Sequence, residues 1–356
     1  MPENTGKSIK VGVVGCGSVA QIIHLPILHK HHAAQVVAVC DIDLRKATLV
    51  ANRFGVPFVY DDIEDMLKRH PLDAVFILTP NNMHLPMSLI ALNHGVEVFI
   101  EKPAARSGPE ARQIAELARK QNRRVMVGMQ NRFRRDVWMI KQFLDRHGLG
   151  DIFFMKSEWL QGRIISMKQP WWLSKRISGG GVLLDLGIQL IDAGWWLLNK
   201  PQPISAQAHV QQINTDIEVE DFCSFYLKFE GNFEMACHIS WSFPIESDRF
   251  QAEIFGSGGS ARLNPLQVKR LWQGKFHDLT PSVQDSNRRI FRRAYESEIN
   301  HFLDVLRGKE QHLISTIDEA VMVLEMIDAL YQSLQHEQVI HLKQNPMPKH
   351  GEKIAK

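Results

Sequence analysis

Cysteine is scarce in this chain, and long apolar runs are absent. The four cysteines, Cys16, Cys40, Cys223 and Cys237, form no Cys-x-x-Cys pair and no recurring ligand spacing, so no metal site is expected and a reducing compartment fits best. No stretch approaches the roughly 18 consecutive apolar residues that a membrane span requires, and MPENTGKSIK contains no apolar signal core. A cytoplasmic chain with no membrane partner is the expectation. An excess of one charge is missing too: 42 Lys and Arg against 39 Asp and Glu leave a formal +3. That balance is too even for a nucleic-acid footprint, and no nucleic-acid partner is expected. What remains is a chain of 356 residues, 44% hydrophobic and 23% charged, enough for two domains with sizeable cores.

Along the first 128 residues, short β-rich runs alternate with helical patterns. Ile9 to Gly15, Gln35 to Asp41, Asp73 to Thr79, Val96 to Lys102 and Arg123 to Met129 are near-continuous apolar strands. Such strands, separated by amphipathic helices, imply a parallel sheet covered on both faces. From about Asp151 the runs alternate instead, as in Phe222, Ser224, Tyr226 and Lys228 against Cys223, Phe225, Leu227 and Phe229. That pattern, with a turn at Glu230-Gly231-Asn232, predicts an antiparallel sheet with one face buried. Helices are predicted over about Gly181 to Leu198 and twice more before the end, the last capped by Ser315 with Asp318 three residues on. The expected division is a dinucleotide-binding domain over 1–128, a second domain over 129–342 and a polar tail over 343–356.

Between the first strand and its helix stands Gly15-Cys16-Gly17-Ser18-Val19-Ala20, a G-x-G-x-x-A form of the dinucleotide fingerprint. Gly15 supplies a tight turn, Gly17 lets the backbone approach a pyrophosphate, and Ala20 allows close packing of helix on strand. The helix N-terminus adds free N–H groups for the phosphates. Cys16 is read as a small turn residue, with a reactive thiol as the other reading. Asp41 ends the second strand, where an acid bonds ribose hydroxyls and repels a 2′-phosphate. NAD is favoured on that ground, with NADP kept open because Arg45 stands in reach of a 2′-phosphate. Asp41 also reads as a helix N-cap.

Three further motifs carry a resemblance. Thr79-Pro80-Asn81-Asn82-Met83-His84, Glu101-Lys102-Pro103 and GGGVLLDLGIQLID (Gly179 to Asp192) resemble the Gfo/Idh/MocA family in order and spacing, over about Ile9 to Leu342. The resemblance implies an α/β chain: a Rossmann doubly wound parallel sheet, then an α/β domain with a large open, mostly antiparallel sheet. It also implies cofactor contacts from Thr79, Pro80, Asn81, His84, Glu101 and Lys102. In the family, the lysine of Glu101-Lys102-Pro103 touches nicotinamide ribose and substrate hydroxyl, and the following proline is commonly cis. The family's D-x-G-x-H helix presents an aspartate and a histidine to the substrate. Asp185 matches the aspartate, but Gln189 stands where the histidine is expected. A glutamine amide orients a hydroxyl and cannot take its proton, which leaves Lys102 as the acid/base. A lysine's ordinary pKa, roughly 10.4, falls toward neutrality when the ammonium is buried beside a positive charge.

The implied activity is hydride transfer between NAD(P) and a hydroxyl or keto group of a sugar, cyclitol or related polyol, with that polyhydroxy molecule as partner. A cofactor-binding regulator that has lost catalysis and an NAD-dependent glycosidase are the alternatives within the family. His24, His29, His31 and His32 read as a solvated helix end, and Arg288, Arg289, Arg292 and Arg293 as a solvated face. Trp171 and Trp172 read equally as core or as a sugar-stacking surface, and Gly179-Gly180-Gly181 as a flexible approach to a helix. The outward face of the second sheet is expected to be a large apolar patch, which implies a homodimer or homotetramer.

Overall fold

Six strands, most of them burying apolar side chains on both faces, pair only in parallel: β1 (Ile9–Val14), β2 (Ala34–Cys40), β3 (Phe58–Tyr60), β4 (Ala74–Ile77), β5 (Glu97–Glu101) and β6 (Val125–Gly128). Their order, β3-β2-β1-β4-β5-β6, is the doubly wound arrangement of a dinucleotide-binding domain. The computed structural model describes residues 8–162, 170–282 and 286–342; the polar tail expected over 343–356 lies outside them. Among the described residues no helix is long and apolar enough to cross a membrane, and all four cysteines are buried and unbridged.

The chain divides into two compact units. One is Met1–Arg135 with Arg176–Gly179 and Asp285–Ile317; the other is Asp136–Lys175, Gly180–Gln284 and Asp318–Lys356. A single cut after residue 128 therefore misses the return of the helix Asn287–Leu306 to the first unit. Packing explains the return. Phe302 on that helix sets its ring edge-on to Phe76 and Phe99, which are themselves stacked at 4.7 Å, and all three are fully buried. Burying a phenylalanine side chain stabilises by about 1.5–3 kcal/mol, which holds the helix against β4 and β5.

The second unit is a nine-stranded sheet. Its strands are β7 (Ile152–Leu160), β8 (Pro203–Gln211), β9 (Phe222–Phe229), β10 (Glu234–Ser240), β11 (Arg249–Gly256), β12 (Gly259–Leu263), β13 (Gln267–Trp272), β14 (Lys275–Asp278) and β15 (Ile340–His341). The order is β14-β13-β12-β11-β7-β10-β9-β8-β15, antiparallel except for the central β7–β10 pair. As the alternation predicts, Cys223, Phe225, Leu227 and Phe229 are buried. The helix Ile188–Leu197, buried along its whole length, lies close on this sheet: a Cβ at Gly194 would come within 2.5 Å of Met235 and 2.8 Å of Met155.

Two expectations are corrected here. The sheet's other face is not uniformly apolar. It carries ion pairs Lys156–Glu253 at 2.9 Å and Lys228–Glu234 at 3.7 Å, with Ser224 bonded to His238, and the aromatic pair Phe154–Phe255 is interspersed among them. The last helix, Ile317–His336, begins after Thr316, so the N-cap position is Thr316, one residue beyond Ser315. The Ser315 carbonyl instead accepts the Val127 N–H and Thr316 bridges Met126, so the chain is still extended along β6 at that point.

Candidate active site

In the first unit, three loops leave the C-terminal ends of β1, β4 and β5, where open parallel sheets bind ligands. Gly15 has φ +98°, and a Cβ there would meet the Leu78 carbonyl oxygen at 2.6 Å. A side chain is excluded on both counts. Beside Gly17 nothing stands within 4 Å of where a Cβ would be, so the loop opens onto clear space. The helical segment then starts at Ser18, with Ala20 fully buried against the core. A cradle lined by backbone, with space where a side chain would stand, fits a dinucleotide pyrophosphate.

Asp41 closes this cradle from β2. One of its carboxylate oxygens accepts the Cys16 N–H at 2.8 Å; the other accepts the Asp43 N–H at 3.0 Å and lies 2.9 Å from the Lys46 ammonium. The helix N-cap is Asp43, which accepts the Lys46 N–H. Asp41 thus ties the glycine loop to the second strand and caps nothing itself. Arg45 is exposed on the first turn of that helix. Burial, and then the charge of Asp41, push the Cys16 thiol up to about 12, so the sulfur is a packed thiol and not a nucleophile.

A buried network joins the other two loops. Glu101, at the end of β5, accepts a hydrogen bond from His24 Nε2 at 2.6 Å and from the Lys102 N–H at 3.2 Å. His24 is fully buried, ringed edge-on by Phe76, Phe99 and Tyr295. The expected solvated histidine cluster is corrected at this member: only His29 and His32 are exposed. The Lys102-Pro103 peptide is cis. His84, also buried, places Nδ1 2.7 Å from the Pro103 carbonyl and Nε2 2.8 Å from the Thr79 carbonyl. Both ring nitrogens thus lie against backbone, making His84 a tie between the loops after β4 and β5. Burial pulls its pKa down against the raising effect of those carbonyls. In the same loop, Asn81 donates to the Ser178 carbonyl at 2.8 Å, and the buried Thr79 hydroxyl has no partner. An unpartnered buried hydroxyl beside the glycine cradle is a second observation that fits a bound cofactor.

In the second unit, Asp185 lies in a π turn, Leu183–Gly187, that opens the buried helix. Its carboxylate accepts the Trp241 indole N–H at 3.1 Å. Gln189 is buried and donates its amide to the Asp185 carbonyl at 2.9 Å, so the two share a face; Asp192, also buried, follows. The start of this helix is held by Glu220. Its Oε1 accepts the N–H groups of Gly181 and Leu183 and the Tyr331 hydroxyl, while its own carbonyl accepts the Val182 N–H. Burial drives the Glu220 carboxyl upward against the lowering effect of these donors. The glycine run is explained by this clamp: a Cβ at Gly180 would stand 2.0 Å from the Tyr331 hydroxyl, and one at Gly181 2.0 Å from the Glu220 carbonyl. At these two positions glycine is a packing requirement, which corrects the expected flexible approach.

Sequence reading missed Glu220, Tyr331 and Trp241, which lie 28 or more residues beyond the motif they support. His24 carried a signal, its place in the apolar stretch Ile22-Ile23-His24-Leu25. Among the described residues no cluster of His, Cys, Asp and Glu has the arrangement to hold a metal ion.

Comparisons with known proteins agree with these features. A family model described as an oxidoreductase family with an NAD-binding Rossmann fold matches residues 9–129, and one for the GFO/IDH/MocA C-terminal domain matches residues 137–262. The D-glucoside 3-dehydrogenase of Escherichia coli (strain K12) is 28% identical over 92% of this chain and 96% of its own. The trans-1,2-dihydrobenzene-1,2-diol dehydrogenase of Mus musculus is 26% identical over 83% of this chain and 87% of its own. Among solved structures, a levoglucosan dehydrogenase with NADH and L-sorbose superposes with a TM-score of 0.85 at 18% identity, covering 95% of this chain and all of the other. GenD2 of gentamicin A biosynthesis, with NAD, gives 0.82 at 24%, covering 95% of this chain and 97% of its own. At these identities the structural matches speak for the fold.

Proposed function

This chain belongs to the Gfo/Idh/MocA oxidoreductase family, and from that premise we propose that it is a dehydrogenase or reductase acting on a hydroxyl or keto group of a sugar, cyclitol or related polyol, with NAD as cofactor. The observation that carries this reading is the pairing of a backbone-lined glycine cradle tied to Asp41 with a tethered Lys102 at the end of β5. A relative named as a glucoside dehydrogenase supports the substrate class.

Gly17, Ser18 and Val19 would hold the pyrophosphate through backbone N–H groups in a turn shaped by Gly15, Cys16 and Ala20, whose Gly15 and Cys16 N–H groups are already held by the Cys40 carbonyl and Asp41; Asp41 would hold the ribose hydroxyls, and Thr79, Pro80 and Asn81 the nicotinamide end. Arg45 is the residue through which a 2′-phosphate would be accommodated. His84, Glu101 and His24 hold that end of the site in shape through the loops they tie. A bound nicotinamide supplies the two-electron hydride acceptor or donor. In the oxidation direction the alcohol loses a hydride from carbon and a proton from oxygen, and the proton goes to Lys102 Nζ. Asp185 accepts a substrate hydroxyl hydrogen bond, and Gln189 fixes the helix face through its bond to the Asp185 carbonyl without taking part in proton transfer.

The test is nicotinamide absorbance with purified protein across a panel of sugars, cyclitols and polyols. Turnover on one class that Lys102→Met abolishes, with NADH binding intact, is the expected result. Tight NADH binding without turnover on any of them would favour the regulatory reading, for which the absence of a titrating group at Gln189 is the supporting observation.

A further inference from the structure

We propose that Trp171 and Trp172 form a rigid stacking platform beside Asp185 that selects a pyranoside ring over an open-chain polyol. The proposal rests on the polyhydroxy-substrate reading above and narrows it to cyclic sugars.

The platform is built to stay put. The 3₁₀ turn Trp171–Leu173 follows Pro170, whose ring fixes the entry angle, and Leu173 is buried beneath it. The next two residues are anchored from elsewhere: the Ser174 hydroxyl and the Lys175 N–H both donate to Glu218, at 3.2 and 3.0 Å. Trp172 meets Trp241 edge-to-face at 5.1 Å. Trp241 is 1% exposed, and its indole N–H is the donor to Asp185. The aromatic chain thus ends on the carboxylate already assigned to the substrate. Trp171, the preceding residue, is 40% exposed, a large apolar surface that a core role leaves unexplained.

An aromatic face and a carboxylate set side by side match a pyranose chemically. A β-glucopyranoside carries its ring hydrogens axially, which makes both faces of the ring apolar, and its hydroxyls radiate from the edge. The ring face lies on indole while an edge hydroxyl donates to Asp185. An acyclic polyol has the same hydroxyls and no persistent apolar face, so it gains the second contact and not the first.

The test uses the full chain, with methyl β-D-glucopyranoside and D-glucitol as probes, followed by calorimetry and tryptophan fluorescence in the presence of NADH. Wild type is expected to bind the glucoside at least about tenfold more tightly than glucitol. Trp172→Ala should remove that preference, and Trp171→Ala should reduce it. Trp172→Phe, which keeps an aromatic face, should retain most of it. NADH affinity and thermal midpoint should be unchanged in Trp172→Phe. Equal affinity of wild type for the two probes, no glucoside binding with NADH binding retained, or an unaltered preference in Trp172→Ala would each overturn the platform and leave the dehydrogenase reading standing. Failure of wild type to bind NADH would sink the dehydrogenase reading and the platform with it.

Discussion

Tyr331 donates its hydroxyl hydrogen to Glu220 Oε1 at 2.9 Å, onto the oxygen where the N–H groups of Gly181 and Leu183 also converge at 3.0 and 3.2 Å. One carboxylate oxygen therefore secures both the last helix and the start of the helix that carries Asp185. Gly180→Ala places a methyl group against the Tyr331 hydroxyl and should destabilise the chain by about 1–3 kcal/mol, as overpacking does. Tyr331→Phe removes the obstructing oxygen, so the double variant should recover part of that loss in urea unfolding. Simple additivity of the two single losses would count against the clamp.

His24 and Glu101 form a buried pair with side chains 0% and 9% exposed. Removing one partner strands the other, which costs about 3–5 kcal/mol in such settings. His24→Phe should therefore lower the thermal midpoint markedly and weaken NADH binding, because the Lys102 N–H hangs on the same carboxylate. His24→Gln, which keeps a donor, should be the milder of the two. A near-silent His24→Phe in differential scanning calorimetry would remove this assignment.

The pH dependence of stability should carry the mark of His84. Its pKa is lowered by burial from an unfolded value of 6.5, so below that pH the unfolded state takes up a proton that the folded state resists. The stability it contributes is complete above about pH 6.5 and declines as pH falls from there toward the depressed folded value. His31 and His301, also lowered by burial, act with the same sign. Unfolding midpoints in urea between pH 7.5 and 5 should fall less steeply for His84→Gln than for wild type. Identical slopes would show that His84 is not a source of the dependence.

Asp41 performs two tasks that two substitutions can separate. Asp41→Asn keeps an acceptor for the Cys16 N–H and loses the charge, so discrimination against NADPH should shrink by about tenfold or more while the loop holds. Asp41→Ala loses both, and NADH affinity should fall further. Fluorescence titration with the two reduced cofactors reads both effects; equal weakening toward both cofactors in Asp41→Asn would remove the ribose assignment.

Much was legible from local pattern. Strand periodicity and the Gly15-Cys16-Gly17 loop are short-range features: a run of Val and Ile buried on both faces has few alternatives to a central parallel strand, and a positive φ at Gly15 demands glycine. The alternation in β9 likewise placed Cys223, Phe225, Leu227 and Phe229 inward before any sheet existed to receive them. Gln189 could be read as a non-titrating group from its chemistry alone.

Other features depended on residues far apart in the chain. No local signal says that Phe302 belongs with Phe76 and Phe99 in preference to the sheet that precedes it in sequence, because an apolar helical stripe fits either surface. The sequence shows three consecutive glycines at Gly179 to Gly181, but only the approach of Tyr331 and Glu220 shows why side chains are excluded at two of them. His24 and His84 are two histidines among sixteen until burial, a carboxylate and two carbonyls distinguish them. The amino-acid order determined the strands, the cradle and the chemistry available at Lys102 and Asp185. Tertiary packing decided which groups hold those residues in place, since burial and hydrogen bonding are properties of neighbours that the linear chain does not name.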